Sequence, residues 1–143
     1  MPILTLKTTT PPATNAADAL VRQLTELSTR LLSKRAEVTA FVWQVVPDAY
    51  WWIGGGATPQ AHAQLDIRVT QGTNTAEEKA AFVQAAHAAL AAAFAGRGLH
   101  PASYVSVLEV PATDWGYGGL TQRARGSRGA SAKAEAEGLA RDD

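Results

Sequence analysis

The sequence predicts an α+β domain: two tandem β-α-β units forming one four-stranded sheet, with both helices on one face. An internal repeat points there first. The segment from Val46, V-P-D-A-Y-W-W-I-G-G, returns from Val110 as V-P-A-T-D-W-G-Y-G-G, with Pro47/Pro111, Trp51/Trp115, Gly54/Gly118 and Gly55/Gly119 all 64 positions apart. A repeat of this length means a supersecondary unit used twice. Secondly, each copy follows an apolar, β-branched run that reads as a strand, TAFVWQVV at 39–46 and SYVSVLEV at 103–110. Thirdly, a helical stretch and an earlier alternating strand precede each of those runs.

In chain order, P-I-L-T-L-K-T at 2–8 alternates as a half-buried strand does. Ala17, Leu20, Val21, Leu24, Leu27, Leu31 and Leu32 then recur at steps of three and four, which is one buried helix face. L-D-I-R-V-T at 65–70 is the third strand. Phe82, Val83, Ala86, Leu90 and Phe94 mark the second helix, with Thr75 as its cap and Glu77 and Glu78 in its first turn. The domain is expected over 2–122, repeat one about 2–56 and repeat two about 63–120. A polar tail at 123–143, RARGSRGASAKAEAEGLARDD, is read as flexible or as a weakly held terminal helix.

Both crossovers being parallel, both helices cover the same face of the sheet. The other face is mixed: Leu65, Ile67 and Val69 point one way along strand three, and Asp66, Arg68 and Thr70 the other. Such a sheet suits an oligomer built around a semi-polar centre.

Composition excludes several chemistries. The 143 residues contain no Cys, which removes thiol catalysis and zinc-thiolate sites, and a chain of this size holds a core without such staples. Thirteen Lys+Arg against thirteen Asp+Glu leave a net charge of zero, without a basic stripe for nucleic acid. The N-terminus has no charged segment followed by a long apolar one, and AAHAALAAAFA is too short to span a bilayer, so a soluble cytoplasmic protein without membrane association is expected. His62, His87 and His100 share no metal-ligand spacing, and no metal or cofactor is expected. His87 reads as a packing residue and His100, before Pro101, as a turn residue. G-G-G at 54–56 opens no helix with Lys-Ser/Thr and is no phosphate loop. Trp43, Trp51 and Trp52 read as core or interface anchors.

Pro2 is the principal functional clue. Removal of the initiator Met before a small residue leaves a secondary amine at the terminus. An apolar pocket and a neighbouring cation lower an amine's pKa toward the window of a general base. Taken alone, Pro2 is read first as the opening residue of a strand, where its missing N–H is harmless. If helix one returns alongside strand one, its end brings Lys34 and Arg35 back near Pro2. Those cations equally suit a last helical turn, where they complement the helix dipole.

M-P-I-L-T-L-K-T, a helix ending near L-S-K-R, F-V-W-Q-V-V-P-D and W-W-I-G-G followed by A-T-P-Q-A together resemble the tautomerase superfamily, particularly its macrophage migration inhibitory factor branch. H-P-A-S-Y-V-S-V-L-E-V-P-A-T-D-W-G-Y-G-G is similar to the strand and hairpin of 4-oxalocrotonate tautomerase. The resemblance covers roughly 2–122. It implies a homotrimer of tandem units around a central channel, with Pro2 as catalytic base or acid in a pocket shared between subunits. By the same resemblance Lys34 or Arg35 stands at the pocket cation, Trp115 at the pocket aromatic, and Tyr104 where a strand arginine is found. The implied reaction is keto-enol proton transfer on a small carboxylate-bearing keto or enol acid. Related members use the same amine for decarboxylation or hydrolytic dehalogenation, and a non-catalytic trimeric binding module is the competing reading.

Overall fold

The computed structural model describes residues 2–9, 11 and 14–126. Met1 and residues 127–143 of the expected tail lie outside the described residues. In chain order the elements are β1 (Ile3–Thr8), α1 (Thr14–Leu32), β2 (Ala40–Val45), β3 (Ala63–Thr70), α2 (Ala76–Ala93), β4 (Tyr104–Val110) and the short hairpin strands β5 (Gly116–Tyr117) and β6 (Leu120–Thr121). Residues 122–126 are helical.

The four long strands form one sheet in the order β2-β1-β3-β4. β1 and β2 pair in parallel, as do β3 and β4, and the two units join through the antiparallel β1–β3 pair. This is the expected pair of β-α-β units. It is one continuous sheet because the two central strands share a full ladder from Ile3↔Arg68 to Thr8↔Ala63.

Alternation decides the faces. Leu4 and Leu6 of β1 and Ala63, Leu65, Ile67 and Val69 of β3 are buried, together with Leu20, Leu24, Leu27 and Leu32 of α1 and Phe82, Ala86, Ala89 and Leu90 of α2. These residues make one core cluster, so both helices lie on the same side of the sheet, and each fully buried Leu or Phe contributes about 1.5–3 kcal/mol. The opposite face carries Ile3, Thr5, Lys7, Gln64, Asp66 and Arg68, partly or fully open.

The helices end where local chemistry requires. Thr75 and Glu78 form a reciprocal capping box at the start of α2: Glu78 N–H donates to Thr75 Oγ1 (3.1 Å) and Thr75 N–H to Glu78 Oε1 (2.7 Å). α1 stops at Ser33, which adopts a left-handed conformation (φ 59°) and turns the chain inward. Both glycine hairpins also take one shape. Gly54 and Gly55 have φ 61° and 78°, and Gly118 and Gly119 have 62° and 81°. Two consecutive positive φ values define the tight hairpin turn that glycine permits, so the sequence repeat is a repeat of backbone conformation.

Candidate functional site

The strand register sorts the residues into two ends of the sheet. At one end lie the start of β1 and the finish of β3: Ile3 pairs with Ala40 on one side and Arg68 on the other, and Ala40 N–H donates to the carbonyl of Pro2 (3.3 Å). Pro2 itself is fully buried.

Lys34 comes to this end by the left-handed turn after α1. Its side chain is buried, and Nζ donates to Thr73 Oγ1 (3.0 Å) in the loop that leaves β3. Thr73 is tied in turn to the carbonyl of Thr70 (2.6 Å), and Asn74 Nδ2 donates to the carbonyl of Leu32 (3.0 Å). Burial lowers the Lys34 pKa from the ordinary lysine value, and Glu78 across the loop acts in the opposite sense. Arg35, the next residue, turns outward and pairs with Glu37 (2.8 Å), both side chains largely in solvent. One residue of offset thus separates a buried cation from a solvated one.

Trp115 also reaches this end. Its Nε1 donates to Thr70 Oγ1 (3.2 Å), and it lines a cavity of about 260 Å³ with Thr113, Asp114 and Leu120 of its hairpin. Tyr104 stands at the opposite end, paired with Gln64 and 70% exposed. From Gln64 to Val69, beside Pro2, β3 rises about 17 Å. A single chain therefore places Pro2, Lys34 and Trp115 at one end of the sheet, with Pro2 and Lys34 outside the lining of the Trp115 cavity, Tyr104 at the other end and Arg35 in solvent.

Two groups were not legible as site residues in the sequence. Arg68, seen there only as part of a mixed face, lies on the open face directly across from Ile3 and has no ion pair among the described residues. The pairing register was the missing signal. The second is an aromatic cluster at the far end. His62 is 2% exposed, with its ring stacked on Trp51 (5.7 Å, 14°) and tilted against His100 (5.3 Å). Its Nε2 meets Thr58 Oγ1 at 2.6 Å, and among the described residues its Nδ1 has no hydrogen-bond partner. Burial, with His100 and Arg97 nearby, lowers its pKa, while Asp48 opposes the shift. His100 behaves as a turn residue, its Nδ1 accepting from Ala102 N–H (2.9 Å). Among the described residues no group of three or more His, Asp or Glu could hold a metal, and no helix is long and apolar enough to cross a membrane.

The same architecture occurs in solved structures. Native fused 4-OT superposes with a TM-score of 0.76 at 24% identity, over 87% of this chain and 98% of that one. The chain has the tandem β-α-β, tautomerase-like fold of these structures. Pt0534, in a structure inactivated by 2-oxo-3-pentynoate, shares the tautomerase fold at TM-score 0.74 and 14% identity, over 87% of this chain and 98% of that one. A macrophage migration inhibitory factor-like protein from Entamoeba histolytica does so at 0.66 and 14%, over 84% and 97%. No protein-family model and no curated protein matches the sequence. Within the tautomerase fold, the repeat fixes which residue stands where Pro2 does in the second unit. Ala40 and Tyr104 are equivalent by the 64-residue offset, and their partners are Ile3 and Gln64, so Ala63 is the counterpart of Pro2. Ala63 lies inside the chain, and its nitrogen is an amide donating to Ser103 Oγ (3.1 Å).

Proposed function

We propose that this protein is a tautomerase-type enzyme that moves a proton between carbon and oxygen of a small keto or enol acid, using the Pro2 amine after removal of Met1. The observation that carries the reading is the shared end of the sheet: a buried proline at the head of β1, a buried ammonium at Lys34 and an indole at Trp115. Apolar surroundings and a nearby cation disfavour the protonated amine, so neutral Pro2 accepts a proton near pH 7. It takes the enol hydroxyl proton as the carbonyl re-forms and delivers a proton to carbon, leaving the proton count unchanged over a turnover. In this reading Lys34 holds the substrate carboxylate, Arg68 is a second cation at the same end on the open face, and Trp115 contributes the adjoining hairpin cavity.

The working form in this reading is a homotrimer. Fused 4-OT structures described as symmetric and asymmetric trimers share the fold, and Tyr104 joins a Pro2 pocket only from a second copy. The keto acid class is supported by the inactivation of Pt0534 with 2-oxo-3-pentynoate.

Pro2→Ala tests the proposal. Enol-to-keto conversion of phenylpyruvate is expected to fall at least about 10²-fold while the circular dichroism spectrum is unchanged, the range general-base removal gives. Equal turnover would overturn the role of Pro2, and an intact mass retaining Met1 would leave the binding-module reading in its place.

A further inference from the structure

The duplication leaves a second end of the sheet that has the cavity and the aromatic hairpin of the first but no terminal amine. Here Lys7 and Gln64 face each other across the β1–β3 ladder on the open side. With Val46, Tyr50, Trp51 and Trp52 they line a cavity of about 310 Å³. By the register equivalence Lys7 is the counterpart of Arg68, so each end of the open face carries one cation from a central strand.

We infer that this cavity is a second, non-catalytic binding site for a small planar carboxylate, aromatic or conjugated, held by Lys7 and stacked against the hairpin indoles. Lys7 has no ion pair among the described residues, so its charge is available to an anion. Gln64 beside it offers an amide donor to a second carboxylate oxygen. The wall is aromatic and open: Tyr50 is 70% and Trp52 58% exposed. Trp51 is preset, because its indole lies flat on the buried ring of His62 (5.7 Å, 14°). A wall already held in place costs little to order when a flat ligand stacks on it. No terminal amine or imidazole lines this cavity, since the counterpart of Pro2 is the amide of Ala63 and the His62 ring lies behind Trp51. The site therefore binds without turnover, and it is independent of the proton-transfer reading.

The four indole N–H signals of ¹⁵N-labelled protein, assigned by single Trp→Phe variants, locate binding directly. Benzoate is the probe and benzamide its uncharged control. Benzoate is expected to shift the Trp51 and Trp52 signals along one saturating curve, with benzamide weaker by about tenfold or more. Lys7→Gln should weaken benzoate to a similar degree, Lys7→Arg should retain it, and Pro2→Ala should leave the curve in place. Movement of Trp115 alone, equal response to benzoate and benzamide, or an unaltered curve in Lys7→Gln would each overturn the site. So would unmoved Trp51 and Trp52 signals, as when a neighbouring copy fills the cavity. Binding at Trp51 and Trp52 in a protein inactive on keto acids would sink the proton-transfer reading and leave this one standing.

Discussion

At the scale of single residues, neighbouring cations have opposite environments. Lys34 is buried with its ammonium on Thr73, and Arg35 is spent on a solvent-screened pair with Glu37 that contributes little. Lys34→Met is therefore expected to raise KM for a keto acid and to move the acidic limb of the rate profile upward, as the amine loses a neighbouring cation. Arg35→Ala should leave both unchanged, and steady-state kinetics from pH 5 to 8 on the two variants would check the contrast. His62 makes a second residue-scale prediction. Its folded pKa lies below the unfolded value of about 6.5, so the unfolded chain takes up the proton first as pH falls. Stability contributed by neutral His62 is complete above that value and is lost as pH drops toward the folded pKa. Urea midpoints should decline from pH 7.5 to pH 5 in the wild type and decline less in His62→Gln.

At the scale of elements, the second hairpin is the part most sensitive to one added carbon. A Cβ at Gly116 would run into the backbone of Leu120 and Thr121, the strand it pairs with, and neither can yield without opening the β5–β6 ladder. Gly116→Ala is expected to cost about 1–3 kcal/mol, the range for overpacked sites. Because Trp115 precedes it, the indole should leave Thr70. Thermal denaturation reads the first effect and the Trp115 indole N–H shift the second. A hairpin that kept both would show that Trp115 is positioned by its own contacts rather than by the ladder.

At the scale of the molecule, the open face of the sheet carries Val42, Tyr104 and Leu108 at 55%, 70% and 40% exposure, interspersed with Lys7, Asp66 and Arg68. Exposed apolar side chains on a sheet face mark an interaction surface, and the polar residues among them suit a hydrated centre. The proposed homotrimer buries the apolar side chains of this face, leaves its polar residues in a hydrated channel, and brings Tyr104 of one copy to Pro2 of another. Sedimentation equilibrium at micromolar concentration is expected to give three times the 15.0 kDa chain mass. A monomer would remove Tyr104 from the catalytic pocket, and an active monomer would confine catalysis to Pro2, Lys34, Arg68 and Trp115.

The repeat, the strand alternation and the helix spacing were legible in the sequence because they are local. A period of two or of 3.6 follows from backbone geometry within one element, and the paired glycines encode a turn within four residues. Those patterns determined the two β-α-β units, the buried face of α1, that of α2 apart from Val83, which is 36% exposed, and the mixed character of the opposite face. They also singled out Pro2 as a candidate, since a proline next to Met1 is visible in the sequence itself. What only the tertiary structure decided was which residues meet. Lys34 rather than Arg35 turns inward after the left-handed residue Ser33, and Arg68 lies on the open face at the Pro2 end because the antiparallel β1–β3 register sets it opposite Ile3. The stacking of His62 on Trp51 joins residues of the hairpin loop and the lead into β3. No short-range pattern carries such contacts, because they depend on strand register and on the closure of loops, which are settled by packing over the whole sheet.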